Sequence, residues 1–224
     1  MITDFHTHIL PHMDDGAKNT EESLNLLKKL QEQGIERVAL TPHFYCHRED
    51  SLEDFLDRRA RNFAHLLDSQ PVIDRFLLGA EAALERGLNE QKNLRRLCFE
   101  NSDYLLLELP YGRFDRWMTE EIESLIFDHK LKVILAHPHR YLTWYSSEQM
   151  KEILSLDVVF QINNEVFDFM KGRRFVKELE QSGKTMIFGS DCHNMTDRQP
   201  NWDLFRKKGG FDRFPNELPG FTLY

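Results

Sequence analysis

Residues 184–193 read KTMIFGSDCH, an apolar run that ends in a carboxylate, Asp191, and an imidazole, His193. Residues 2–8, ITDFHTH, have the same design and end on His6 and His8. Short apolar runs bounded by polar or turn residues are typical of buried β-strands. Both stretches therefore predict a buried strand that carries potential metal ligands at its carboxyl end.

Five more apolar runs occur, and most of the runs are followed by a helical pattern. The seven runs are residues 2–10, 37–44, 75–82, 103–110, 132–139, 158–164 and 185–191. Strands that alternate with helices indicate βα units and a parallel sheet. Seven units in a chain of 224 residues fit one α/β domain, residues 1–224, built as a small barrel.

Helical patterns lie between these runs. The first has Asn19 as a predicted N-cap and ends at Gly34. Further helices are predicted near residues 49–69, 116–129, 147–155 and 173–182. Residues 195–224 are rich in proline and glycine and predict a loop-like covering tail.

Charge and cysteine content limit the classes of function. The formal net charge of -8 argues against binding of nucleic acid, which needs a basic surface. No apolar run approaches the ~18 residues of a membrane span. The odd number of cysteines, three, argues against a disulfide framework. With no signal-peptide pattern at the N-terminus, these features predict a cytoplasmic protein.

Potential metal ligands end six of the seven runs. They are His6, His8, His43, Glu81, Glu108, His137, His139, Asp191 and His193. The sixth run ends in amides instead, and Asp14 and Asp15 follow the first run. In a βα barrel the functional groups lie at the carboxyl ends of the strands. Burial of many imidazoles and carboxylates is costly unless they pair or coordinate metal, so the set predicts a metal site.

The ligand types narrow the choice of ion. Oxygen and imidazole ligands without a required thiolate suit Mn, Fe, Zn or Mg. With only one divalent ion, the pocket would stay negatively charged and would repel phosphate, because it holds four carboxylates: Asp15, Glu81, Glu108 and Asp191. Two or three ions would neutralise it, and paired ions about 3.5–4 Å apart can activate a bridging water.

Six short motifs together resemble a known superfamily. They are DFHTH (4–8), DDGA (14–17), TPHF (41–44), GAE (79–81), AHPHR (136–140) and GSDCHN (189–194). Their order is similar to that of the PHP (polymerase and histidinol phosphatase) superfamily, and most similar to its CpsB/YwqE-type manganese-dependent protein-tyrosine phosphatases of capsular polysaccharide regulation. The likeness runs from residue 1 to about residue 198. It implies a distorted seven-stranded (βα)7 TIM-like barrel, the PHP fold.

The resemblance implies three metal positions with shared ligands, with manganese as the expected ion. The implied ligands are His6, His8, Glu81 and Asp191 for the first ion, Glu81, Glu108 and His137 for the second, and Asp15, His43 and His193 for the third. Asp15 is preferred to Asp14 because it directly precedes the glycine, as in the family pattern. His139 stands where a carboxylate or another residue often occurs in the family.

The activity implied is hydrolysis of protein phosphotyrosine by a metal-bridging hydroxide. Arg140 and Arg198 match positions that grip the phosphate, and His43 or His193 could assist as proton donor. The expected partner is a phosphotyrosine protein, with a tyrosine kinase of polysaccharide synthesis as a candidate. Two alternatives are a phosphoesterase for a small molecule such as histidinol phosphate and a non-catalytic metal-binding regulatory module.

Aromatic side chains also follow the predicted strand ends. They are Phe44, Tyr45, Tyr111, Phe114, Trp117, Trp144 and Tyr145. Such residues could line a slot for an aromatic substrate, or they could merely pack over the end of the barrel. The sequence supports both readings equally.

Overall fold

A computed structural model describes residues 1–221 of the chain, and within them it contains nine β-strands and seven α-helices. The strands are Thr3–Asp4 (β1), Arg37–Leu40 (β2), His43–Phe44 (β3), Phe76–Leu78 (β4), Glu81–Ala83 (β5), Tyr104–Glu108 (β6), Lys132–Ala136 (β7), Val159–Asn163 (β8) and Met186–Gly189 (β9). The helices are Thr20–Glu32 (α1), Leu52–Asp68 (α2), Arg116–Phe127 (α3), Ser147–Ser155 (α4), Met170–Gln181 (α5), Trp202–Lys207 (α6) and Gly210–Arg213 (α7). None of the helices in this part of the chain combines the length and apolar character needed to cross a bilayer.

The strands form two parallel sheets, which confirms the predicted mixed α/β class. One sheet has the order β1-β2-β4 and the other the order β3-β5-β6-β7-β8-β9. The arrangement differs from the predicted seven continuous strands because two runs are divided, the second at Thr41–Pro42 and the third at Gly79–Ala80. Proline has no N–H to donate to a ladder, and a Cβ at Gly79 would lie 2.7 Å from the Phe99 ring.

The second and third runs pass side by side from one sheet into the other, and backbone hydrogen bonds continue between them there. Gly79 N donates to Leu40 O and Glu81 N donates to Pro42 O, each at 3.0 Å. The first and last runs link the two sheets directly, since Phe5 N donates to Phe188 O at 3.3 Å and Asp191 N donates to His6 O at 2.8 Å. Residues 2–8 and 186–192 therefore run side by side although they lie at opposite ends of the sequence.

The strands are buried on both faces. In β6, Leu105 and Leu107 belong to the larger apolar core, whereas Leu106 belongs to a smaller one. Successive side chains of a strand point to opposite faces, so these are two separate layers. The smaller core contains side chains from all seven apolar runs: Phe5, Ala39, Leu77, Tyr104, Leu106, Ile134, Ala136, Val159 and Ile187.

The first five α-helices lie close to their predicted positions. Asn19 caps α1 as predicted, since its Oδ1 accepts a hydrogen bond from Glu22 N at 2.9 Å. Leu26, Leu27 and Leu30 of α1 are buried against the sheet layer. The bounds of α2 to α5 depart from the predicted ranges by at most three residues at either end. These elements hold the strands in the register that brings their carboxyl ends together.

The predicted loop-like tail was wrong for residues 202–213, which form α6 and α7. Trp202 is fully buried, and prolines and glycines around these helices concealed the apolar pattern. The covering role is confirmed by Asn216, whose Oδ1 accepts from Phe188 N at 2.6 Å while its Nδ2 donates to Thr3 O at 2.8 Å. Leu218 then packs into the smaller core.

Asp4 connects the first strand, the last strand and the tail. Its carboxylate accepts hydrogen bonds from Ser190 Oγ at 2.6 Å, Ser190 N at 2.9 Å and Trp202 Nε1 at 2.7 Å. Asp4→Ala leaves these buried donors without their acceptor, and we expect it to lower the free energy of unfolding by about 2–4 kcal/mol. Denaturant unfolding measures the change.

Asp203→Ala is the matched control. Asp203 follows Trp202 on α6, but its half-exposed side chain is paired to Arg206. Exposed pairs of this kind contribute little, so we expect a change below about 0.5 kcal/mol. Equal effects of the two substitutions would contradict the linking role of Asp4.

Candidate active site

The structure brings all nine predicted metal ligands to the carboxyl ends of the strands. They are His6, His8, Asp15, His43, Glu81, Glu108, His137, Asp191 and His193, and each has a nitrogen or oxygen within 4 Å of another member. The nine residues are spread along the sequence from residue 6 to residue 193. They lie close together because the carboxyl ends of parallel strands all meet at one edge.

Glu81 is the centre of this cluster. One carboxylate oxygen lies 3.2 Å from His6 Nε2, 3.2 Å from His8 Nε2 and 3.1 Å from His43 Nδ1. The other lies 3.0 Å from His137 Nε2. Burial alone would raise the pKa of Glu81, but the neighbouring His6 and His43 outweigh burial and hold it well below its usual range. Glu81 is therefore an ionised carboxylate shared by four imidazoles.

Three groups of side chains could each hold an ion within the described residues. They are His8, Asp15, His43 and His193; His6, His8 and Glu81; and His43, Glu81 and Glu108. Ligand atoms in each group lie within 4.8 Å of one another. The groups share His8, His43 and Glu81, as expected for ions close enough to have common ligands.

Three of the imidazoles have protonation states that suit a cation, whereas burial is outweighed by the charges of Glu81 and Asp191 at His6 and by that of Asp14 at His8, so that the pKa of each of these two is raised. Burial lowers the pKa of His137 to about 4 and also lowers that of His43 and His193, so these imidazoles are neutral near pH 7. His193 Nε2 and His43 Nδ1 are buried, and although a carboxylate oxygen lies 3.5 Å and 3.1 Å away respectively, neither nitrogen has the geometry of a hydrogen bond. Burial, followed by the charge of Glu81, raises the pKa of Glu108 to about 8. Unpaired imidazole nitrogens beside crowded carboxylates fit a divalent ion, which would satisfy both.

Asp14 and Asp15 occupy different positions. Asp14 Oδ2 lies 2.6 Å from His8 Nδ1 and accepts a hydrogen bond from His43 N at 2.8 Å. Asp14 therefore orients the ring of His8 so that Nε2 faces the cluster. Asp15 Oδ1 lies 3.5 Å from His193 Nε2 and 3.7 Å from His43 Nε2. The glycine after them is required, because a Cβ at Gly16 would lie 2.1 Å from His8 O.

The sixth run supplies residues that support the cluster. Gln161 Oε1 lies 2.9 Å from His6 Nδ1, and Asn163 Nδ2 donates to Asp191 Oδ2 at 2.9 Å. Sequence reasoning anticipated hydrogen-bonding amides here but missed Glu165. Glu165 Oε1 accepts from Arg140 Nη2 at 2.9 Å and lies 3.4 Å from His139 Nε2. His139 therefore contacts Glu165 rather than the metal-ligand cluster. Glu165 lies in a short 3-10 helix, Asn164–Asp168, just beyond β8, where strand periodicity gives no signal.

Arg140 and Arg198 both contact Asp191. Arg140 Nη1 lies 2.8 Å from Asp191 Oδ2, and Arg198 Nη2 donates to both carboxylate oxygens at 3.0 and 3.1 Å. Burial opposes the charge of Arg140, but Asp191 and Glu165 outweigh it and raise its pKa, so the guanidinium stays charged. Two cationic forks therefore stand beside the cluster, where they suit the oxygens of a phosphate.

The backbone is unusual at two of these residues. His137 and Asp191 have φ angles of 32° and 51°, in the left-handed region that few non-glycine residues adopt. Strained backbone of this kind concentrates at functional sites. No sequence pattern predicted it, because the strain arises from packing of the strand end against its neighbours.

The cluster opens into a cavity of about 800 Å³. Its lining includes His43, Glu81, Glu108, His137 and both arginines. His47 also lines it and contacts Glu85. A cavity of this size suits a small molecule or an extended side chain.

Comparison with known proteins places the chain in a family. The family described as capsular polysaccharide synthesis, CpsB/CapC, matches residues 2–208. Tyrosine-protein phosphatase CpsB of Streptococcus pneumoniae is 26% identical, over 93% of this chain and 91% of that protein. Tyrosine-protein phosphatase YwqE of Bacillus subtilis (strain 168) is 28% identical, over 62% of this chain and 55% of that protein.

A solved structure has the same fold. It comes from a crystallographic study of YwqE from Bacillus subtilis and CpsB from Streptococcus pneumoniae, described as unique metal-dependent tyrosine phosphatases. Its TM-score is 0.75 at 21% identity, and the match covers 93% of this chain and 88% of the solved chain. With the family match spanning nearly the whole sequence, this chain belongs to the CpsB/CapC family of capsular polysaccharide synthesis.

Proposed function

We propose that this protein is a metal-dependent protein-tyrosine phosphatase that hydrolyses phosphotyrosine monoesters. The observation that carries the proposal is the meeting of two arginines with a cluster of potential metal ligands at the mouth of one cavity. The names of the relatives, tyrosine-protein phosphatases, support the same reaction class for this chain. Phosphoryl transfer needs positioning and charge stabilisation above all, and this set of groups offers both.

Two or three divalent ions are proposed, with manganese first and Fe, Zn or Mg as alternatives. Their ligands would be His6, His8, Asp15, His43, Glu81, Glu108, His137, Asp191 and His193. When bound, such ions would activate a water for attack on phosphorus and neutralise phosphate charge. Support for these roles comes from the three ligand groups and from the neutral, unpaired imidazole nitrogens among them.

The protein's own groups have separate tasks in the proposed reaction. Arg140 and Arg198 bind the equatorial phosphate oxygens, and Glu165 holds the guanidinium of Arg140 in place. A phenolate is a tolerable leaving group, so a strong general acid is not required. Burial lowers the pKa of His43 and His193, which favours their role as neutral ligands over their predicted role as proton donors.

We further propose that the two sheets form one distorted seven-stranded (βα)7 barrel within a single domain, residues 1–224. The backbone hydrogen bonds between the first and last runs, the passage of the second and third runs from one sheet into the other, and the shared smaller core support this. The proposed partner is a phosphotyrosine protein, with a tyrosine kinase of polysaccharide synthesis as the candidate. The cytoplasmic location stays a prediction from the sequence.

Elemental analysis together with a phosphoester assay tests this function. We expect two to three divalent ions per chain, and a kcat/KM for phosphotyrosine peptide at least roughly tenfold above that for phosphoserine peptide or histidinol phosphate, which corresponds to about 1.4 kcal/mol. The assay is run with Mn, Fe, Zn and Mg in turn. Preference for histidinol phosphate would favour the small-molecule alternative. Bound metal without hydrolysis of any phosphoester would favour the regulatory module.

A further inference from the structure

The cavity over the cluster has an aromatic part as well as a charged one. Of the seven aromatic residues that follow strand ends, only Tyr45 and Tyr111 lie among its described lining residues. Phe44, Phe114 and Tyr145 are buried in the larger core, and Trp117 packs beneath the guanidinium of Arg86. The seventh, Trp144, is exposed and meets the Tyr111 ring edge-on at 6.1 Å, so only two of the seven line the site.

Each of the two tyrosines extends outward from a predicted metal ligand. The Tyr45 ring lies 5.2 Å from the His43 ring, centre to centre. The Tyr111 ring lies 6.4 Å from that of His137, with the planes only 16° apart. Since both imidazoles face the cluster, the tyrosine rings stand one layer further out along the cavity wall.

Both rings are held in place by further contacts. The Arg48 guanidinium lies 4.1 Å from the Tyr45 ring centre. Tyr111 packs at 5.6 Å against Tyr141, which is itself fully buried. Burial raises the pKa of Tyr111 to about 12, so its hydroxyl remains neutral. Preorganised aromatic rings of this kind bind a planar group at little cost in conformational entropy.

Apolar groups complete this part of the cavity. Ala83, Leu84, Leu109 and Pro110 line it together with the tyrosines, whereas Arg140 and Arg198 line its charged part. The cavity therefore offers cations for a phosphate and an aromatic, apolar wall for whatever group carries it. An aryl phosphate has this combination of groups, and an alkyl phosphate lacks the ring.

We propose that Tyr45 and Tyr111 form an aryl slot that selects aromatic over alkyl phosphate monoesters. The inference rests on the proposed function and adds the residues that determine its substrate class. The slot acts through binding of the aromatic ring of the substrate. Aromatic contacts contribute modestly, so removal of either ring is expected to lower the preference by about tenfold or less, and removal of both by at least about tenfold.

The test compares manganese-loaded wild type with Tyr45→Leu, Tyr111→Leu and the double variant. We measure kcat/KM for phenyl phosphate and ethyl phosphate, and the inhibition constants of phenylphosphonate and methylphosphonate. We expect the aryl preference to fall in both measurements, through KM and the inhibition constant of the aryl compound, with the alkyl compounds unaffected. Phe127→Leu is the control, because Phe127 is exposed on α3 away from the cavity and should leave both ratios unchanged.

Two outcomes overturn the slot in different ways. If wild type hydrolyses phenyl phosphate and the double variant keeps its aryl preference, the slot is wrong and the proposed function stands. If wild type hydrolyses no aryl phosphate, the proposed function fails and the slot fails with it. Tyr111→Phe, which retains the ring, should keep the preference, and a loss there would also contradict stacking on the ring. The phosphonate constants report equilibrium binding even for a variant with weak turnover.

Discussion

Asp191→Ala is expected to lower kcat for phosphotyrosine peptide by at least about a thousandfold. Asp191 Oδ1 lies 3.5 Å from His6 Nε2 and 3.4 Å from His8 Nε2, and the same carboxylate binds both arginines. Burial alone would raise its pKa, but His6 and Arg140 outweigh burial and keep it ionised. One substitution therefore removes a ligand and releases the two phosphate-binding groups.

His137→Ala is expected to have a similar effect for a different reason. Its Nε2 lies 3.0 Å from Glu81 and 3.5 Å from Glu108, so its loss removes a neutral ligand between two carboxylates.

Elemental analysis should show fewer bound ions in both variants, while circular dichroism should show a retained fold. Asp197→Ala, a change of an exposed carboxylate in the same loop, is the matched control and should retain turnover. Manganese-dependent activity in both test variants would contradict the proposed site.

Arg140→Lys and Arg198→Lys are expected to lower kcat/KM by about 10²–10³-fold each. Lysine keeps the positive charge but lacks the planar fork that binds two oxygens at once. The change at Arg140 also disturbs its contact with Glu165, so kcat/KM should fall further in Arg140→Lys than in Arg198→Lys. Steady-state kinetics measures both effects, and the inhibition constant of inorganic phosphate should rise in parallel.

The number of bound metal ions distinguishes the arginine variants from Asp191→Ala. The arginine variants should bind as many ions as wild type, because neither guanidinium is a ligand, whereas Asp191→Ala should not. Arg113→Lys is the control, since Arg113 is 85% exposed and lies outside the cavity lining. Unchanged phosphate inhibition in both arginine variants would show that these residues do not bind the phosphate.

Local signals in the sequence were enough to locate most elements. The cap at Asn19 and the buried leucines of α1 lie where the pattern predicted, because capping and amphipathic periodicity act within a few residues. The helices of the tail were missed for the converse reason. Trp202 and Phe205 are buried by contacts with distant parts of the chain, and the short pattern around them carries little local signal.

The sequence was enough to show which residue types end each strand, because the position of each apolar run fixes which side chains its carboxyl end carries. It therefore gave an imidazole and carboxylate set that suits metal ions. Three features came from tertiary packing alone: the separate positions of Asp14 and Asp15, the contact of Glu165 with Arg140, and the two of seven aromatic rings that line the cavity. These depend on distances between side chains from different strands, which are set by sheet register and packing rather than by any local pattern.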